Sequence, residues 1–363
     1  MTYRPSSPVR FGIVGTGWRT GFFVRLAALL PDSLTLTGVV ASRPERVEEV
    51  SREYGVPAHL SVDELVGEGA PEFVITSLPW PVNPTAVARL VEIGVSVLSE
   101  TPPAPDGAGL TELWERVGGS GRVQVAEQYP LMPMHAARLA AVRDGLIGQP
   151  TSVQISSTHG YHAMALIRSF LGIGITPATV TGQAFTAPLL DPMDRHGWRV
   201  DPATRPTRTT LATVDFGDAG TGVYDFTDNQ WHNRLRSRRL VVRGSHGEIN
   251  DTELVRWAGP ERILESSFRR RQSGYDLDLE GYDTEWITLD GQELWRNPLL
   301  GLRLADEDVA IASIMLATAA WVRQEGPAPY PLATACHDHA LALAVDEAVA
   351  SGTPVTVEPG PWA

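Results

Sequence analysis

The chain has 363 residues, 43% of them hydrophobic and 20% charged, which excludes disorder and fibrous architecture and fits two domains. With 30 basic against 43 acidic residues the net charge is −13, so nucleic acid and anionic membranes are excluded as expected partners. Every basic residue is arginine, which also excludes a P-loop, a Schiff-base mechanism and a lysine proton acceptor.

Met1 to Arg10 carry Pro and Ser and lack the apolar run of a targeting segment, so a soluble cytoplasmic protein is expected. Arg10-Phe-Gly-Ile-Val14 reads as a buried parallel strand. Phe22, Phe23, Leu26, Leu29 and Leu30 recur at helical spacing until Pro31. A strand over Leu36 to Ala41, a helix from Arg46 to Tyr54 closed by Gly55, and a strand over Phe73 to Ser77 follow. Asn83-Pro84 predicts a helix N-cap and first position, with Gly94 as the stop, and strands follow at Val95 to Ser99 and Val123 to Glu127. This alternation predicts a doubly wound parallel sheet, ending near residue 126.

From residue 127 to 363 the rhythm changes. A helix from Met134 to Asp144 precedes strands over Thr151 to Ser157, Thr209 to Phe216, Gly222 to Thr227, Arg239 to Arg243 and Glu253 to Trp257. Strands without helices between them predict an open, mostly antiparallel sheet in an α+β domain. Val309 to Val322 is too short to span a bilayer and reads as a buried helix. Two helices are expected to close the chain, the second with Leu341, Ala344, Val345 and Ala348 on one face and Gly352 as its end. The lone Cys336 excludes an internal disulfide and suits a reducing compartment.

Directly after the first strand stands Gly15-Thr16-Gly17-Trp18-Arg19-Thr20-Gly21. The first glycine permits a tight turn and the second lets a pyrophosphate approach bare backbone, while the next helix aims its N–H groups at that anion. Thr20 stands where the usual third glycine would be. At the end of the second strand Ser42 and Arg43 replace the acidic residue that would hold an NAD ribose, which favours NADP over NAD.

In these features the sequence resembles the Gfo/Idh/MocA family of dehydrogenases, which includes glucose–fructose oxidoreductase and inositol dehydrogenase. The resemblance rests further on Val74-Ile-Thr-Ser-Leu-Pro79, on Glu100-Thr101-Pro102 in place of Glu-Lys-Pro, and on Glu127-Gln128-Tyr129-Pro130. Gly145-Leu-Ile-Gly148, Gly160-Tyr161-His162-Ala163-Met164-Ala165 and Asp338 complete it. It implies a Rossmann domain, an open-faced α/β domain, and hydride transfer to or from a sugar, polyol or related carbonyl. It places cofactor contacts at Gly15 to Thr20, Ser42, Arg43, Ser77, Leu78, Pro79, Asn83, Glu100, Thr101 and Gln128. Substrate contacts fall at Tyr129, His159, His162 and Trp231. It also implies a homodimer or homotetramer formed through the second sheet.

The family's catalytic lysine is Thr101 here, and the aspartate of His-x-x-Asp is Ala165. A threonine hydroxyl is far too weakly acidic to serve as a base. His162, flanked by His159 and Tyr161, becomes the expected proton-transfer group, because imidazole titrates near neutrality. Catalysis is therefore assigned to His162, Thr101 and Tyr161. Neither His159 with His162 nor Cys336, His337 and His339 supplies the three or four convergent ligands of a zinc site, so no metal is expected. Tyr224, Phe226, Asp228, Trp231 and His232 lie on or just beyond one strand, where their aromatic faces suit a sugar or a dimer interface. Arg269-Arg270-Arg271 reads as an anion grip or a solvated loop. Two other functions stay open: a glycosidase or lyase that reduces and reoxidises its cofactor within one cycle, and a cofactor-binding sensor without chemistry.

Overall fold

The computed structural model describes residue 3, residues 5–274 and residues 280–363. The first part alternates β1 (Val9–Val14), α1 (Thr20–Leu29), β2 (Leu34–Val40), α2 (Pro44–Tyr54), β3 (Ala58–His59), α3 (Val62–Gly69), β4 (Phe73–Thr76), α4 (Asn83–Glu92), β5 (Ser96–Ser99), α5 (Gly107–Val117) and β6 (Val123–Val125). The strands pair in parallel in the order β3-β2-β1-β4-β5-β6. The order reverses between β1 and β4, so the loops leaving their carboxyl ends open a crevice there. Asn83 occupies the first helical position rather than the cap. Val82 precedes it in a helical conformation, and the Asn83 side chain turns inward to donate to Ser99 Oγ at 2.9 Å.

The second part runs through α6 (Pro133–Arg143), β7 (Pro150–Ile155), α7 (Gly160–Leu171), β8 (Ala178–Leu190), β9 (Met193–Asp194), β10 (Gly197–Trp198), β11 (Thr204–Asp215), β12 (Thr221–Thr227) and β13 (Leu240–Gly244). It continues through β14 (Gly247–Asn250), β15 (Glu253–Gly259), β16 (Arg262–Ser267), β17 (Arg269–Ser273), β18 (Asp283–Leu289), β19 (Gln292–Arg296), α8 (Asp306–Val322), α9 (Leu332–Ser351) and β20 (Val355–Val357). A nine-stranded sheet has the order β16-β15-β14-β13-β7-β12-β11-β8-β20. Its β7–β12 pair is parallel and its other pairs are antiparallel. Strand β8 escapes the sequence pattern because Gly182 and Pro188 interrupt a run that is exposed over much of its length. The chain closes on β20, paired with β8, and not on a helix.

The period of two along β12 settles which side chains face which layer. Tyr224 and Phe226 are buried under the helices, whereas Val223 and Asp225 face the uncovered side. These two rings therefore belong to the core and not to an open dimer face. The 269–271 arginines lie in β17 rather than in a loop, and Arg270 holds Asp306 through two bonds of 2.6 Å.

Helix α8 follows the whole second sheet in sequence but packs on the first one. Val309, Ile311, Ile314 and Met315 share a core with Phe11, Ile13, Phe23 and Phe73. Three acids open this helix, where the macrodipole favours negative charge. Each meets an arginine: Asp306 with Arg270 of β17, and Glu307 and Asp308 with Arg19 and Arg25 of the α1 segment. Among the described residues no helix is long and apolar enough to cross a membrane.

Candidate active site

The glycine turn leaves the end of β1 at the crevice. Gly15 has φ +118°, and a Cβ there would lie 2.1 Å from the Ser77 carbonyl oxygen, so the fold itself requires glycine. At Gly17 a Cβ would meet nothing within 4 Å. Folding places no demand on that position, whereas a pyrophosphate approaching the backbone would. The first-turn N–H groups of α1 lack intrahelical partners and supply the matching anion donors. This cradle fits a dinucleotide.

Arg19, at the head of α1, ties the turn to three other segments. Its Nε donates to Glu100 Oε1 at 3.0 Å, Nη1 to Glu307 Oε1 at 2.8 Å, and Nη2 to the Gln128 side-chain oxygen at 2.9 Å. Burial alone would lower the Arg19 pKa, but Glu100 and Glu307 outweigh it and raise it. The Thr101 N–H donates to Glu100 Oε2 at 3.2 Å, so this node also fixes the residue at the lysine position. Trp18 is largely exposed, and Ser42 and Arg43 are exposed at the end of β2 with no ion pair to Arg43 among the described residues. Ser77 is buried, Leu78 half-buried and Pro79 exposed, along the β4 edge of the crevice. The inward turn of Asn83 puts it beneath that edge, supporting Ser99.

On the other wall, α7 begins at Gly160 and carries His162 in its first turn. His162 Nδ1 lies 2.5 Å from Glu127 Oε2. The Glu127 carboxylate is wholly buried, and its second oxygen accepts the Tyr129 N–H at 2.8 Å. A carboxylate only accepts, so Nδ1 bears the proton of the neutral imidazole and Nε2 is left as an open acceptor. With 12% of its side chain exposed, His162 is within reach of a small molecule. The Tyr129 ring lies 4.4 Å from it, and His159 stands 5.3 Å away with Trp231 edge-on to His159 at 4.5 Å. Burial, with His162 beside it, pulls the His159 pKa down to about 3 and keeps it neutral. The buried His159 Nδ1 has no hydrogen-bond partner among the described residues.

Residues 127–129 join the two walls: Glu127 and Tyr129 touch His162, and Gln128 touches Arg19. The glycine turn and the histidine pocket therefore face one cleft. Tyr161 points away from it, buried in the core below the first sheet, where burial raises its phenol well above the usual value. Cys336 is buried, His337 Nε2 is 2.9 Å from the Thr176 carbonyl, and His339 sits by the Tyr161 ring, so the three side chains diverge. Sequence reading passed over Glu127 and Glu307. The available signal for Glu127 was a carboxylate ending the run Val123-Gln-Val-Ala, where burial demands a partner.

No curated protein matches the chain. Among solved structures, an oxidoreductase from Agrobacterium radiobacter in complex with NAD+, L-tartaric acid and magnesium is 16% identical with a TM-score of 0.69, covering 98% of this chain and 100% of that one. A levoglucosan dehydrogenase in complex with NADH and levoglucosan is also 16% identical at 0.69, covering 97% and 100%. A myo-inositol dehydrogenase from Corynebacterium glutamicum is 16% identical at 0.66, again over 97% and 100%. These likenesses extend over both domains and show a shared fold. Residues 9–128 match the model of the Gfo/Idh/MocA oxidoreductase family with an NAD-binding Rossmann fold.

Proposed function

We propose that the protein is an NAD(P)-dependent oxidoreductase that acts at one carbon of a sugar, polyol or related carbonyl compound, with His162 moving the hydroxyl proton. The contact between His162 and Glu127 carries this reading, because it supplies the acid–base pair that Thr101 and Ala165 do not. Glu127 fixes the ring and its tautomer, which leaves Nε2 to take a proton from a substrate hydroxyl or return one to a carbonyl. Tyr129, His159 and Trp231 form an aromatic wall suited to the apolar face of a polyhydroxylated ring. The myo-inositol and levoglucosan enzymes of like fold fit that substrate class.

Gly15, Gly17 and the start of α1 would hold the pyrophosphate, with Ser42 and Arg43 at the adenosine end. A bound nicotinamide supplies hydride acceptance or donation at a single carbon. Ser42 and Arg43 favour NADP, since a guanidinium and a hydroxyl match a 2′-phosphate and leave a bare ribose diol without its acidic acceptor. A second copy of the chain covering the open sheet face, where Phe185, Trp257 and Ile263 are exposed, gives the proposed homo-oligomer.

The test is nicotinamide absorbance on mixing the protein and NADP(H) or NAD(H) with a panel of polyols and ketoses. Turnover with a net absorbance change, lost in His162→Ala while cofactor still binds, is expected. Product without net change would point to a lyase or glycosidase cycle. Cofactor binding without any turnover would point to a sensor.

A further inference from the structure

We propose that the substrate carries an anionic oxygen group, specifically a carboxylate, and that Arg238 binds it. The inference rests on the oxidoreductase reading for its chemistry and adds the charge of the molecule transformed.

Residues 228–239 link β12 to β13 and are fixed at their base by two buried amides. Gln230 donates to the Ser156 carbonyl at 2.6 Å and the Ser237 carbonyl at 2.8 Å, and its oxygen accepts the Thr227 N–H at 2.9 Å. Asn233 donates to the Leu190 carbonyl at 2.8 Å. Loops pinned in this way hold side chains in place at little further entropic cost. Trp231 turns inward onto His159, and Arg238 Nη2 donates to the Trp231 carbonyl at 2.5 Å. The guanidinium is thus tied to the residue that walls the His162 pocket. Its charge also reaches the Tyr129 phenol, whose ring is tilted 30° against that of His162.

Arg238 itself is exposed, and no carboxylate among the described residues forms an ion pair with it. The adjacent Arg239, by contrast, holds Asp225 at 2.6 Å. The remaining charges of the cleft are already matched: Glu127 by His162 and the Tyr129 N–H, and Glu100 and Glu307 by Arg19. His159 adds none, being neutral. A neutral sugar would leave the Arg238 charge without a counter-ion, whereas a carboxylate a few carbons from the reacting hydroxyl would accept its remaining donors in the fork geometry guanidinium favours. The substrate class is therefore a hydroxy or sugar acid.

The experiment is calorimetry on the full chain saturated with NADPH, titrated with aldonates and uronates, with their neutral parent sugars, and with the matching sugar phosphates. The acids are expected to bind about ten- to hundredfold more tightly than the neutral parents. Arg238→Gln, which keeps a donor for the Trp231 carbonyl but removes the charge, is expected to erase that preference. Arg234→Ala, on the same loop, is expected to keep it. Equal binding of neutral and acidic sugars by the unaltered protein, or an acid preference that survives Arg238→Gln, overturns the proposal. Tightest binding of the phosphates overturns the carboxylate assignment. If acids bind through Arg238 but no hydride transfer follows, the oxidoreductase reading fails and this one stands.

Discussion

The glycine turn and the histidine pocket face the same cleft but are built in opposite ways. The turn is the five consecutive residues Gly15–Arg19 between one strand and one helix, and its chemistry lies in the backbone. The pocket is gathered from Glu127, Tyr129, His162 and Trp231, which meet only after folding, and its chemistry lies in side chains. A backbone site can change its side chains freely while its glycines remain, whereas a side-chain site can change which segment supplies a needed group. Here the carboxylate that meets His162 comes from Glu127, 35 residues earlier in the chain.

The largest expected effect breaks one side of this contrast and leaves the other intact. His162→Ala should lower kcat by about 10²–10⁴-fold, while NADPH affinity, measured by fluorescence titration, stays unchanged. The reverse break uses the two glycines. Gly17→Val should cost about 1–3 kcal/mol of cofactor binding with little change in Tm, because nothing within 4 Å opposes the new side chain in the free protein. Gly15→Ala should instead lower Tm by several degrees, roughly 1 kcal/mol or more, since its Cβ collides with the Ser77 carbonyl.

Glu127→Gln sharpens the pocket side: kcat should fall about ten- to hundredfold with cofactor affinity preserved, the scale of losing one charged hydrogen bond. At the cofactor's far end, Arg43→Ala should weaken NADPH by about tenfold and leave NADH unchanged, as titrations of both cofactors will show. The smallest effect concerns the helix beneath the pocket. Burial pulls His337, beside Arg168, and His339 down to about 4, whereas burial pushes Asp338 up to about 6. The histidines bind protons more readily when unfolded, so their stabilisation is complete above about pH 6.5 and is lost as pH falls toward 4. Asp338 opposes them, because its folded form takes up the proton first as pH falls through 6. Two groups against one should leave Tm falling by a few degrees across that window, and His337→Gln should flatten the slope.

The strands and helices around the glycine turn were legible because local period and punctuation determine them, as Gly55 and Gly352 in left-handed caps illustrate. Helix α8 was legible as buried, but a helix apolar on all sides does not say which core receives it. Tyr224 and Phe226 were legible as strand residues, while the face they occupy depends on which side α7 covers. Glu127 was visible as a charge at a strand end, yet its partner lies 35 residues on, beyond α6 and β7. Arg238 gave no sign in sequence, because an arginine's value depends on having no neighbouring acid in space. At these residues, what the sequence withheld was tertiary.

The placement of α8 bears on how the protein is made. Synthesis proceeds from the amino terminus, and domains tend to fold in that order as they emerge. Yet Phe11, Ile13 and Phe23 wait for Val309, Ile314 and Met315 to close over them. The nascent Rossmann half must therefore remain partly uncovered until residue 322 has left the ribosome, so the first domain to be translated is among the last to be finished.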